Sequence, residues 1–209
     1  MRLAVRIPTR FRRGRKHRPP FRLDGPEKEY MDMQTTLTAK LKLVATPEQF
    51  RQLRLTQLAY RDALNQASQH AFAQGKTSNS RRLHHALYQE VRARHGLPSQ
   101  LACSVFRQVG ATYKGLWTRW YKNVEARQAG WTKKRFKGLD QPPHYVSPTL
   151  TYVLGHDYTF KAAGSVSVLT LAGRLILPYQ GYARHLAWLQ HGAQIGGAKL
   201  WYDRAKHRF

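Results

Sequence analysis

Residues 35–44 read Thr-Thr-Leu-Thr-Ala-Lys-Leu-Lys-Leu-Val. Apolar and polar side chains alternate along this stretch, which is the pattern of a β-strand with one buried face. Such a strand cannot stand alone, because its backbone groups and its apolar face both need neighbours. The next segment is helical. Thr46-Pro47-Glu48-Gln49 combines a capping box with a proline suited to the first helical position, and Phe50, Leu53, Tyr60, Leu64, Ala67 and Ala71 then share one stripe before Gly75. β patterning resumes after residue 144. The strand's partners are therefore expected there, and the helices between become an insertion within one β domain.

The insertion divides into three helices. A polar link at 76–80 precedes a helix on which Leu83, Leu87 and Val91 recur every four residues, with Arg81, Arg82, Arg92 and Arg94 around them. Gly96 and Pro98 stop it. A third helix starts at Pro98-Ser99 and extends to about Arg127, with Leu101, Val105, Val109, Leu116, Trp120 and Val124 as its core stripe. After Gly130 comes a basic, aromatic connection at 131–138, and Pro142-Pro143 marks a boundary. Short strands are expected at 150–153 and 158–161. A hairpin should join 165–171 to 174–179 through Ala172-Gly173. A short helix at 181–191 and a final hairpin complete the expected order. The expected organisation is a basic arm at 1–33, a first strand at 34–46, a helical insertion at 47–138, and the remaining strands at 139–209, cut at the last hairpin.

Charge narrows the choice of partner. Lys and Arg number 36 against 11 Asp and Glu, a formal net charge of +25. Self-repulsion of that size points to a polyanion as the usual neighbour. Much of the excess sits in residues 1–24, where arginines mix with Pro8, Gly14, Pro19 and Pro20. That composition reads as a disordered arm. It also fits a transit peptide, or sequence upstream of a start at Met31 or Met33. The single cysteine, Cys103, excludes a disulfide framework and a multi-cysteine zinc ribbon. No apolar run reaches the roughly 20 residues that span a bilayer.

Residues able to do chemistry are sparse. Metal-dependent phosphoryl transfer needs converging carboxylates. Asp157 and Asp203 each sit beside turn-like sequence and read as solvated turn carboxylates. His84 and His85 are adjacent on a helix and point apart, and Cys103 reads as a small apolar residue. Gly196-Gly197 lacks the spacing of a phosphate-binding loop. No metal or cofactor site is expected within these residues. Nucleic-acid contacts have more support. Phe106, Tyr113, Trp117 and Tyr121 form a second stripe on the third helix, which either packs on the other helices or meets bases. Arg107, Lys114, Arg119 and Lys122 lie around it, and Lys133-Lys134-Arg135-Phe136-Lys137 comes after the helix. These cations are expected to contact phosphates.

In order and spacing, these segments resemble the N-terminal part of the transposon-encoded TnpB (OrfB) proteins, RNA-guided DNA nucleases of bacterial insertion sequences. The resemblance covers about residues 35–209. It rests on the opening Lys40-Leu41-Lys42-Leu43-Val44-Ala45-Thr46-Pro47-Glu48-Gln49, on Leu97-Pro98-Ser99-Gln100, and on Tyr113-Lys114-Gly115-Leu116-Trp117. Lys134-Arg135-Phe136-Lys137-Gly138, the segment at 173–179 and Ala198-Lys199-Leu200-Trp201-Tyr202 extend it. It implies a wedge-like β-barrel with a helical recognition insertion, binding guide RNA and a short motif in target DNA. By the same resemblance Ser80, with Arg81 and Arg82 beside it, and Ser99, Gln100 and Cys103 face that DNA. The family's RuvC-like nuclease, with its magnesium-binding carboxylates and zinc-binding cysteines, would begin where this sequence stops. Magnesium and zinc are therefore expected only in that half, and this chain is expected not to cleave DNA. The implied setting is the bacterial cytoplasm, near the nucleoid. Rival readings are a stand-alone RNA- or DNA-binding regulator, a ribosomal-type RNA-binding protein, or an enzyme with an unrecognised site.

Overall fold

The alternating segment does form a strand, but its longest pairing is with residues that precede it. The computed structural model describes residues 2–10, 34–146, 149–161, 164–190 and 196–202. Strand β1 (Arg2–Arg10) pairs antiparallel with β2 (Gln34–Leu43) along its whole length, Arg2 opposite Lys42 and Arg10 opposite Gln34. The expected unstructured arm at 1–33 is thus corrected at its start, and β2 is the second strand rather than the first. Residues 11–33 lie outside the described residues. The physical reason is visible at Leu3 and Val5, both fully buried, alternating with Arg2 and Ala4. A period of two was hidden by the arginine count. Pro8 is accommodated because β1 meets β7 only as far as Val5, and a strand with one open side tolerates proline.

The later elements keep the expected order. Helices α1 (Pro47–Ala73), α2 (Ser80–His95) and α3 (Ser99–Gln128) precede strands β3 (Leu150–Tyr152), β4 (Tyr158–Lys161), β5 (Ser165–Thr170) and β6 (Gly173–Gly181). Helix α4 (Ala183–Gln190) and strand β7 (Ala198–Trp201) complete the described chain. The seven strands are ordered β3-β7-β1-β2-β6-β5-β4 and curl into a nearly closed antiparallel barrel, so the fold is α+β with a helical insertion. Leu150, Leu200, Leu3 and Leu41 oppose one another on successive strands, and Tyr152, Ala198, Val5 and Ala39 make the next row. All eight are buried. Burying each large side chain contributes roughly 1.5–3 kcal/mol. Gly181 lies opposite Leu41, and a Cβ there would come 2.9 Å from the leucine Cδ2.

The two end strands, β3 and β4, are joined by the short link 153–157. Tyrosine hydroxyls close the seam between them. Tyr152 donates to the Leu169 carbonyl at 2.7 Å, and Tyr158 donates to the Gly196 carbonyl beside β7. Burial pushes the acidity of both hydroxyls down, so both stay protonated and able to donate. Asp157, expected in solvent, is instead 0 % exposed. One carboxylate oxygen accepts from the Val153 N–H at 2.8 Å, and the other has no partner. Burial holds this carboxyl above the ordinary range for aspartate.

The helical unit is built from local signals. Thr46 and Gln49 make the reciprocal capping box at the start of α1. The Asn79 side chain accepts from the N–H groups of Arg81 and Arg82 at the start of α2, and Gly96 ends that helix in the left-handed conformation. A strap of residues 143–145 ties the unit together. Asn65 exchanges two hydrogen bonds with the Tyr145 backbone, and Ser68 donates to the Pro143 carbonyl at 2.7 Å. Among the described residues, no helix is long and apolar enough to cross a membrane.

Candidate nucleic-acid interface

Helix α3 carries most of the candidate residues, and its two halves differ. From Leu101 to Tyr113 it buries Leu101, Ala102, Val105, Phe106, Val109 and Tyr113 against α1 and α2. From Lys114 onward it buries no residue completely. The aromatic stripe accordingly changes character along its length. Phe106 and Tyr113 are core, as packing would require, and the Tyr113 hydroxyl donates to the Ser68 carbonyl. Trp117 and Trp120 are half-buried, and Tyr121 is 58 % exposed.

At about 100° per residue, Gln100, Cys103, Arg107 and Lys114 fall on one solvent-facing stripe of α3. Arg119 lies roughly 120° or more around the helix from Arg107 and Lys114, with Lys122 between. Arg119 thus belongs to the side reached by the 131–138 connection. Gly130, at φ 75°, ends α3, and the Trp131 N–H returns to the Ala126 carbonyl. The chain then doubles back along the helix. Asn123 donates to the Lys134 carbonyl at 2.9 Å and accepts from the Phe136 N–H at 2.8 Å. The Phe136 ring closes over Gly138, where a Cβ would not fit. The basic run is thus fixed in place by one side-chain amide. Lys133, Lys134 and Lys137 carry no acid partner among the described residues, whereas Arg135 is taken by Asp140.

The start of α2 stands apart from the start of α3. Gly110 is pressed against Ser80, with a built Cβ 3.3 Å from the serine Cβ. That contact lies 11 positions along α3 from Ser99, about 16 Å of helix. Ser80 is therefore not brought together with Ser99, Gln100 and Cys103. Its neighbours Arg81 and Arg82 have their N–H groups occupied by Asn79, while their side chains remain exposed. At α3 the N-cap is Pro98, which supplies no side-chain hydrogen bond to the first turn at Ser99 and Gln100. Cys103 is half-buried and free.

A second cationic surface was not foreseen from the sequence. On the outer face of the barrel, Lys40 and Lys42 of β2 and Lys199 of β7 are exposed. Register puts Arg2 opposite Lys42, and Ala4 opposite both Lys40 and Lys199. The three exposed lysines thus share one face across β2, β1 and β7. The signal lies in the motif Lys40-Leu41-Lys42, whose alternation sends both lysines outward. It becomes a surface only with β1 in place, and β1 itself was not expected.

Among the described residues few acids offset these surfaces, the exposed Glu125 of α3 being the exception. Glu48, Asp62 and Asp140 are each held by an arginine, Arg51, Arg61 and Arg135 respectively. Glu90 accepts from Gln66, and Asp157 is buried. Asp203 lies outside the described residues. Among the described residues, no three His, Cys, Asp or Glu side chains cluster closely enough to hold a metal ion. No family model, no curated protein and no solved structure matches this chain.

Proposed function

We propose that this chain is a nucleic-acid recognition module, the part of a TnpB-like, RNA-guided transposon nuclease that holds guide RNA and target-adjacent DNA. Its setting would be the bacterial cytoplasm, close to the nucleoid. The observation that carries the reading is the pair of exposed cationic surfaces, one on α3 with the 133–137 run and one on the outer barrel, where cations outnumber acids among the described residues. Phosphate contacts of this kind supply affinity without sequence information. A barrel interrupted by a helical insertion also agrees with what the resemblance implies. Fold alone does not select a function, so the weight rests on the cations. Cleavage is no part of the proposal.

The test is salt-dependent binding of structured RNA and duplex DNA by the 209-residue protein. Replacing Lys133, Lys134 and Lys137 by Ala should weaken binding and flatten its log–log salt slope by about 0.7–0.9 for each phosphate no longer held. Replacing Lys40, Lys42 and Lys199 should do the same independently. Unchanged slopes in both variants would sink the reading. A stand-alone regulator is the alternative, and it requires affinity for DNA in the absence of any RNA.

A further inference from the structure

Beyond Tyr113, α3 outruns the helices that cover its first half, yet it keeps three adjacent aromatic rings. Trp117 is anchored, its indole N–H donating to the Lys76 carbonyl at 3.0 Å. Trp120 stands edge-on to it at 5.6 Å, and Tyr121 lies 6.0 Å from Trp117 and 5.0 Å from Trp120. Two half-buried indoles thus buttress a phenol that is 58 % exposed. A ring held this way loses little freedom when something stacks on it. Lys114 lies two turns back, about 20° away around the helix, and is exposed. Glu125, one turn beyond Tyr121, ends the cationic stretch.

We infer that the distal half of α3 takes unpaired nucleotides, with a base against Tyr121 and backbone phosphate on Lys114. The inference rests on the nucleic-acid reading and adds the strand state of the ligand. Phosphates of a duplex are served equally well by lysines alone. A flat ring is useful when a base offers its face, which paired and stacked bases do not. A second copy of this chain is the competing occupant, and the net charge of +25 opposes that meeting.

The experiment compares single-stranded and duplex oligonucleotides, about 12 nucleotides long to match common site sizes, by fluorescence anisotropy with the full chain. Tyr121→Ala should lose about fivefold in single-strand affinity, the low end for one stacked base, with duplex affinity unchanged. Tyr121→Phe should retain wild-type binding, and Lys114→Ala should weaken both ligands. Equal losses on the two ligands, or none with Tyr121→Ala, would overturn the inference while leaving nucleic-acid binding intact. So would a dimer in the wild type that the Tyr121→Ala variant loses with no change in single-strand affinity. Failure of the wild type to bind either ligand would instead remove the broader reading. Because Tyr121 is largely exposed, the variant should melt with the wild type, and a thermal scan checks this.

Discussion

In the barrel, residues that touch come from opposite ends of the chain: Leu3 faces Leu41 on one side and Leu200 on the other. In the helical unit most contacts are made within residues 47–145, with a few to the barrel such as Thr56 accepting from the Leu171 N–H, and α1 and α2 each carry their own start and stop signals. The difference teaches where cooperativity should lie. Non-local strand pairing must overcome loop-closure entropy before any contact repays it, whereas capped helices with local contacts form readily. The barrel should therefore fail as a whole when one strand is lost, and the helices should degrade gradually.

The harshest way to break that contrast is to delete residues 2–10. Leu3 and Val5 alone should account for roughly 3–6 kcal/mol of burial, and both flanking strands lose a partner. We expect loss of near-ultraviolet circular dichroism and of dispersed strand amides, with helical ellipticity largely kept. A cooperative melt at the wild-type temperature would show β1 to be dispensable. Next in size is Leu101→Ala, which should cost about 2–5 kcal/mol in chemical denaturation. If helix and barrel probes still change together, the shared core makes one folding unit; separate transitions would sharpen the division.

Asn79→Ala should cost about 1 kcal/mol by removing the cap that serves two N–H groups, and the loss should appear first as faster amide exchange at Arg81 and Arg82. The smallest effect concerns Asp157. Its folded-state pKa is raised by burial, so its contribution is most favourable below the unfolded carboxylate value and is lost as pH rises through the folded value. Asp157→Asn keeps an acceptor for the Val153 N–H and cannot ionise. Its stability relative to wild type should increase from acid to neutral pH, because the amide escapes the cost of ionising a buried carboxyl. A difference independent of pH would mean that the folded and unfolded states hold this proton equally, and that burial does not raise the pKa.

Much of the helical unit was legible because the Thr46 capping box, Gly96 and four-residue apolar spacing are local. The β5–β6 hairpin was legible for the same reason, through alternation and Gly173. β1 was not, since Leu3 and Val5 are two apolar positions among arginines and prolines, and their partner Leu200 lies far along the chain. Asp157 was misread because a short link between strands normally faces water. Here its carboxyl is enclosed near Tyr60 of α1 and Tyr152 of β3. Of the candidate cations, the stripe on α3 could be counted from the sequence. The outer-barrel lysines acquired a common surface only once register was known.

The central place of β1 also sets a schedule. Leu200 is made 197 residues after its neighbour Leu3 (200 − 3). At about 5–20 residues per second, that is roughly 10–40 s. Throughout this interval β1 can pair with β2, but its other edge must wait. The helices have time to assemble first, so the barrel closes with the helical unit already formed.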